Sequence, residues 1–148
     1  MLIIRALAIA LLVVTASSAG ADAVQSELEA RKECGAYSQA EMKVCLEKKA
    51  NASAAELRKI EQRIREAIPK WDEDEQYVER AKVRFDAANR AFGQYRDAQC
   101  AFNSSLSGGA AGNSNEIRRL ACVHELNQRR VGQLQAAEAD LPPKSPKS

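Results

Sequence analysis

Four cysteines, Cys34, Cys45, Cys100 and Cys122, constrain this chain more than any other feature. All of them lie beyond an N-terminal leader. Arg5 supplies a positive start, Ala6 to Val14 is an unbroken apolar run too short to span a bilayer, and small residues follow from Thr15 to Ala21. This pattern predicts a signal peptide over residues 1–21, cleaved after Ala21 or Ala23, with no stable membrane insertion afterwards. Export puts the thiols in an oxidising compartment, periplasmic or secreted, where disulfides form and persist. Zinc does not fit the spacing, because there is no CxxC and His124 is the single histidine. The residues therefore predict no metal and no cofactor.

Hydrophobic periodicity supplies the framework those cysteines must staple. Residues 22–37 read as a polar lead-in, either loosely paired with the body or mobile. Ser38-Gln39-Ala40-Glu41 is a capping box, in which hydroxyl and carboxylate each satisfy a free backbone N–H at a helix start. From Gln39 the small and apolar residues fall at Met42, Leu46, Ala50, Ser53, Leu57, Ile60, Ile64 and Ala67, in steps of three and four. Pro69 stops that helix. A second seam runs through Val78, Ala81, Phe85, Ala88, Phe92, Tyr95 and Phe102, and carries core aromatics. Glycines and small polar residues make Asn103–Asn115 a loop. A third helix follows over about 115–137, with Ile117, Leu120, Ala121, Val131 and Leu134 inward, and Leu141-Pro142-Pro143 ends it. The expectation is an all-α fold over 38–137, an antiparallel three-helix bundle stapled by two disulfides, with a disordered tail over 138–148.

Helical register then ranks the three possible disulfide connectivities. Cys34 precedes the Ser38 cap by four residues and Cys45 lies about two turns, roughly 10 Å, inside the helix, a span the lead-in can fold back across. Cys100 lies near the end of the second helix and Cys122 two turns into the third, so an antiparallel hairpin brings them together. Cys34–Cys45 and Cys100–Cys122 are the expected pairs.

The formal net charge is only +2, with basic and acidic residues interspersed, which gives no electrostatic case for nucleic acid. No nucleophile–base set can be assembled once the thiols are bridged, and the Gly108–Gly112 run lacks the Lys-Ser/Thr ending of a phosphate loop. An enzyme is not expected. Tyr95, Arg96, Asp97 and Arg130 form a candidate polar network. Arg96 and Asp97 are adjacent, point about 100° apart on a helix, and so are expected to reach other helices, Asp97 towards Arg130. Asp72-Glu73-Asp74-Glu75 reads as acids favouring a helix start, or as an acidic docking patch.

Several stretches together resemble one family. They are Gln39-Ala40-Glu41-Met42 before Cys45, Ala54-Ala55-Glu56-Leu57, and Ala91-Phe92-Gly93-Gln94-Tyr95-Arg96-Asp97-Ala98-Gln99-Cys100. The glycine-rich loop, and Cys122 followed by Arg130 and Leu134, complete the set. The chain is similar, from Cys34 to about Leu134, to the LprI-type lysozyme inhibitor domain of small exported helical proteins. It departs from the family at Phe92, where Trp is usual, and at Arg58, where Asn is frequent. The resemblance implies an envelope or secreted location and, as protein partner, a lysozyme-like muramidase that is bound and inhibited; occlusion of its cleft is the mechanism a rigid bundle with a long small-residue loop suggests. The expected contact is the loop, at Ser107, Gly108, Gly109, Gly112 and Asn113. The alternative is a non-catalytic envelope module that binds peptidoglycan, a toxin or another envelope protein.

Overall fold

The computed structural model describes residues 24–36, 38–109 and 112–143. The expected signal peptide over 1–21 and the tail beyond Pro143 lie outside the described residues. Within them the fold is all-α, with four helices and no strand: α1 (Glu27–Cys34), α2 (Gln39–Ala67), α3 (Glu75–Ser105) and α4 (Ser114–Ala139).

α2 forms where its caps and seam direct. The Ser38 hydroxyl accepts from the Glu41 backbone N–H at 3.4 Å, and the Glu41 carboxylate accepts from the Ser38 N–H at 3.0 Å. Such a cap contributes about 1 kcal/mol. Leu46, Ala50, Ser53, Leu57, Ile60 and Ile64 are all buried. Pro69 turns the chain into a short 3-10 segment, Ile68–Lys70, because it cannot donate to a continuing helix.

α4 is the central element. It packs most extensively on α2 and next on α3. Cross-links between α2 and α4 advance in the same direction: Lys49 with His124, Ser53 with Asn127, Arg63 with Glu138. The two helices are therefore parallel. α3 runs against both, pairing Arg96 with Asn127 and Asn89 with Arg130.

Three expectations need correction. The lead-in 22–37 is neither loose nor irregular, since α1 occupies most of it. A second capping box starts this helix, the Ser26 hydroxyl meeting the Glu29 N–H at 3.3 Å and the Glu29 carboxylate meeting the Ser26 N–H at 2.8 Å. Ala30 and Cys34, one turn apart, are fully buried against α2 and α4. The tail does not begin at 138 either. α4 runs to Ala139, and the Asp72 N–H donates to the Pro142 carbonyl at 3.1 Å, which ties residues 140–143 to the turn before α3. The third concerns the aromatic seam of α3. Val78, Ala81, Phe85 and Phe92 do pack on the core, but Tyr95 and Phe102 are 54% and 59% exposed. α3 lies on the outside of α4 and has a partner on one side only, so Cys100 is its single fully buried residue.

The interior divides into two apolar clusters. One joins Ala30, Cys34, Leu46, Ala50, Ile117, Leu120 and Ala121; the other joins Leu57, Ile60, Ile64, Ile68, Val131 and Leu134. Between them lies a polar layer. Asn127, fully buried, donates to the Ser53 hydroxyl at 3.3 Å and accepts from the Arg96 guanidinium at 3.3 Å.

Candidate functional site

Two disulfides hold the end of the molecule that carries the α3–α4 connection. Cys34–Cys45 clamps α1 to α2, and Cys100–Cys122 clamps α3 to α4. The connection is shorter than the sequence suggests. α3 continues to Ser105 because its last polar residues find partners: Asn103 donates to Glu27 at 2.6 Å, and Ser104 donates to the Asn115 carbonyl at 2.9 Å. What remains is a connection over 106–113, with turns at its described residues 106–109 and 112–113. Gly108 and Gly112 have φ of 60° and 85°, the left-handed region that a side chain would strain. Gly109 is open, Leu106 is 57% exposed, and the Ser107 hydroxyl is buried without a hydrogen-bond partner. Asn113 is the N-cap of α4 and makes no side-chain cap bond.

At the root of this hairpin lies an open groove of about 500 Å³. Leu28, Met42, Leu106 and Ile117 give it an apolar floor, and Arg31, Lys32 and Arg118 stand along it. Among the described residues no carboxylate comes within ion-pair distance of these three cations. The neighbouring carboxylates direct their hydrogen bonds elsewhere. Glu116 is held by Arg119 at 2.8 Å, which keeps its carboxyl below the ordinary range. Glu27 faces Asn103; burial together with the nearby Glu125 pushes its carboxyl up, against the opposing pull of Asn103, Arg31 and Arg118. The sequence reading found none of Leu28, Arg31, Lys32 or Arg118. The Ser26-x-x-Glu29 box was the available signal, since it starts the helix that brings Leu28 to Lys32 beside the hairpin.

The candidate polar network is rearranged. Arg96 does pair with Asp97, at 2.8 and 3.0 Å. The 100° offset governs the Cα–Cβ bonds, whereas the long arginine stem turns its tip back to the adjacent carboxylate. Asp97 does not reach Arg130, which donates to Asn89 at 3.1 Å and lies over the Phe92 ring at 5.6 Å. Tyr95 is exposed and outside the network. The hub is Asn127, which an asparagine on a helix does not announce.

His124 is buried, its Nδ1 3.2 Å from the Lys49 carbonyl and its Nε2 3.1 Å from Gln25 Oε1. Burial is the largest influence and holds its pKa below the ordinary value; the Lys49 carbonyl bond, Glu33 and Glu125 pull the other way. The fold thus favours the neutral ring, and the unfolded chain takes up its proton first as pH falls. The His124 contribution to stability is full above about pH 6.5, and is lost as pH falls from there through the depressed folded value. Unfolding midpoints of the protein and of His124→Gln, measured between neutral pH and pH 5, should converge on acidification. Parallel curves would contradict this.

Among the described residues no cluster of three His, Cys, Asp or Glu side chains could hold a metal, and no helix is long and apolar enough to cross a membrane. The geometry defines a disulfide-stapled helical scaffold that presents a glycine turn and a cationic groove at one end. The family described as Lysozyme inhibitor LprI matches residues 30–134, and the chain belongs to that family. No curated protein and no solved structure matches the chain.

Proposed function

We propose that this chain is an exported, non-catalytic inhibitor of a lysozyme-like muramidase, and that it acts by placing the Leu106–Asn113 hairpin in the enzyme's substrate cleft. Family membership carries the reading. The structure supports it with a connection whose root is fixed by Cys100–Cys122 and braced by α1 through Asn103. A turn held on both sides loses little conformational freedom on binding, so less of the contact energy is spent on ordering it. Ser107, Gly108, Gly109, Gly112 and Asn113 supply small residues and backbone groups suited to a narrow saccharide cleft. In this reading the leader over 1–21 is removed after Ala21 or Ala23, and α2, α3 and α4 act as a bundle of three rods, with α1 as a brace.

The test is a titration of mature protein against several muramidases. Intact protein should abolish turnover of at least one of them at stoichiometric excess. A variant with residues 107–112 replaced by a shorter turn should lose at least tenfold in inhibition while keeping its helical circular dichroism, since a mere scaffold loop tolerates shortening. Unchanged turnover across the panel would remove the reading. A second reading, an envelope module with another protein partner, is favoured by the exposed apolar side chains of Tyr77, Tyr95 and Phe102 on α3. These fall on one face of α3, about 0–20° apart around the helix.

A further inference from the structure

The molecule has two charged ends, and they differ in sign. Asp72, Glu73, Asp74 and Glu75 are exposed where the chain enters α3. Arg31, Lys32 and Arg118 lie at the other end, beside the hairpin. An inhibitor that enters a muramidase cleft meets a particular chemistry there. Glycoside hydrolysis is carried out by a pair of carboxyl groups flanking the scissile bond, one of them a general acid with a raised pKa. The end that enters such a cleft should bring cations that are not already neutralised.

We propose that Arg31, Lys32 and Arg118 are the specificity element of the inhibitory face, and that they meet the catalytic carboxylates, or the acidic rim, of a muramidase cleft as the hairpin enters it. This rests on the inhibitor reading. Three observations carry it. The trio makes no direct ion pair among the described residues, and Glu27 and Glu29 act on it only from beyond contact, so its N–H groups remain open to an incoming carboxylate. It comes from two elements, α1 and α4, that meet at the same hairpin root: the Glu27 carboxylate of α1 accepts from Asn103 at 2.6 Å, and Arg31 donates only to the Glu27 backbone carbonyl, at 3.4 Å. The groove between the cations is apolar, with Leu28 and Leu106 54% and 57% exposed, so that a lip of the enzyme seated there would dry the charge pairs. Guanidinium–carboxylate bonds strengthen as water leaves, and Arg31 and Arg118 can each bind a carboxylate through two N–H groups.

The near-neutral whole matters here. Many lysozymes are basic, and a strongly cationic inhibitor would be repelled from a distance. At physiological salt, fields fade within roughly 8 Å, so a chain of net charge +2 experiences little long-range repulsion and the local contact decides.

A cation beside the enzyme's general acid favours its ionised form. Binding must then release that proton, and the linkage has a definite sign. Below the acid's pKa, roughly 6 in such enzymes, affinity should rise with pH by up to about tenfold per unit, and then level off. The titratable groups of this chain near the trio are Glu27, Glu29, Glu116, Glu125 and Lys43. His124, on the Gln25 and Lys49 side of α4, has its pKa held below the ordinary value by burial and must be controlled.

The experiment uses a muramidase that the intact protein inhibits, with affinity measured by calorimetry from pH 5 to pH 8. Arg31→Glu combined with Arg118→Glu should weaken binding by roughly tenfold to a hundredfold and flatten its pH dependence. The thermal midpoint should fall, because Arg31 and Arg118 offset the charge of Glu27 beside Glu125, so affinities are compared at a temperature where circular dichroism shows both proteins folded, and Arg31→Gln with Arg118→Gln should weaken binding in the same direction. His124→Gln should keep the pH slope, and Asp74→Lys with Glu75→Lys at the opposite end should leave affinity unchanged. Affinity lost by less than twofold in the Arg31/Arg118 variant, or lost instead in the Asp74/Glu75 variant, overturns the proposal and leaves the inhibitor reading standing. Failure of the intact protein to bind any muramidase removes that reading and the proposal together. A third arm uses vesicles of phosphatidylglycerol. Cation-dependent vesicle binding, with inhibition unaffected by the charge reversal, would assign the groove to a membrane surface and also overturn the proposal.

Discussion

Replacing Cys100 and Cys122 together with alanine should lower the unfolding free energy by about 3 kcal/mol and should loosen α3 before any other helix. The bridge spans 22 residues. Closing a loop of that length restricts the unfolded chain by about 3.4 kcal/mol in the chain-entropy account, against about 2.8 kcal/mol for the 11-residue Cys34–Cys45 loop. Length is the smaller part of the reason. α2 and α4 each bury six or more residues, whereas α3 buries Cys100 alone and otherwise rests on half-buried Val78, Ala81, Phe85 and Phe92 near its first half. Beyond Phe92 its non-covalent ties to the other helices are polar, at Arg96, Asn103 and Ser104. Without the bridge, the last three turns of α3 have little to hold them, and the hairpin they support should lose its fixed geometry. Urea unfolding gives the total, and amide exchange gives the location: protection from about 93 to 105 should collapse towards that of a frayed end while α2 keeps its own. A loss under 1 kcal/mol, or retained protection in that segment, would show that side-chain packing holds α3 and that the staple is secondary.

The parts of this structure that were legible in the sequence, and those that were not, have one physical cause. α2 could be placed to the residue because Ser38-x-x-Glu41 marks its start, Pro69 its end, and a helix covered along one face must carry apolar residues in steps of three and four. α1 carries only Ala30 and Cys34 inward, too few for a periodic signal, although its Ser26-x-x-Glu29 box repeats the α2 signal at the same spacing. The α3 seam was real but overstated. Periodicity tells which face is apolar, and does not tell whether a second neighbour arrives to cover its edges; for Tyr95 and Phe102 none does. The candidate site shows the same limit. Glycines with positive φ mark a turn in any sequence. The cations beside it come from α1 and α4, 86 residues apart at Lys32 and Arg118, and only the docking of α1 brings them together. Asn127 was invisible for the same reason, since its partners Ser53 and Arg96 lie on two other helices.

That buried asparagine bears on how the core is built, and on what its two halves do. A parallel pair such as α2 and α4, with apolar residues repeating every three or four positions, could slip by a turn and still bury apolar surface. A buried polar contact such as Asn127 to Ser53 is satisfied in one register only, which is the best-attested use of such groups. The layer also separates the Leu46 cluster from the Ile60 cluster, and the two should fail differently. Leu46 and Ile60 are 0% and 1% exposed, so Leu46→Ala and Ile60→Ala should each cost about 2–5 kcal/mol. They lie 14 residues apart on one helix, roughly 21 Å, too far to share a relaxing cavity. Leu46 packs with Ala30, Cys34 and Ile117, which seat α1 and the groove; Ile60 packs with Ile64, Val131 and Leu134 at the far end. At a temperature where both variants remain folded, Leu46→Ala should weaken muramidase inhibition and raise amide exchange in α1. Ile60→Ala should do neither, even with an equal loss of stability. Equal losses of inhibition from the two would mean that the core answers as one body, and that the hairpin end draws its rigidity from the whole bundle rather than from the α1 cluster beneath it.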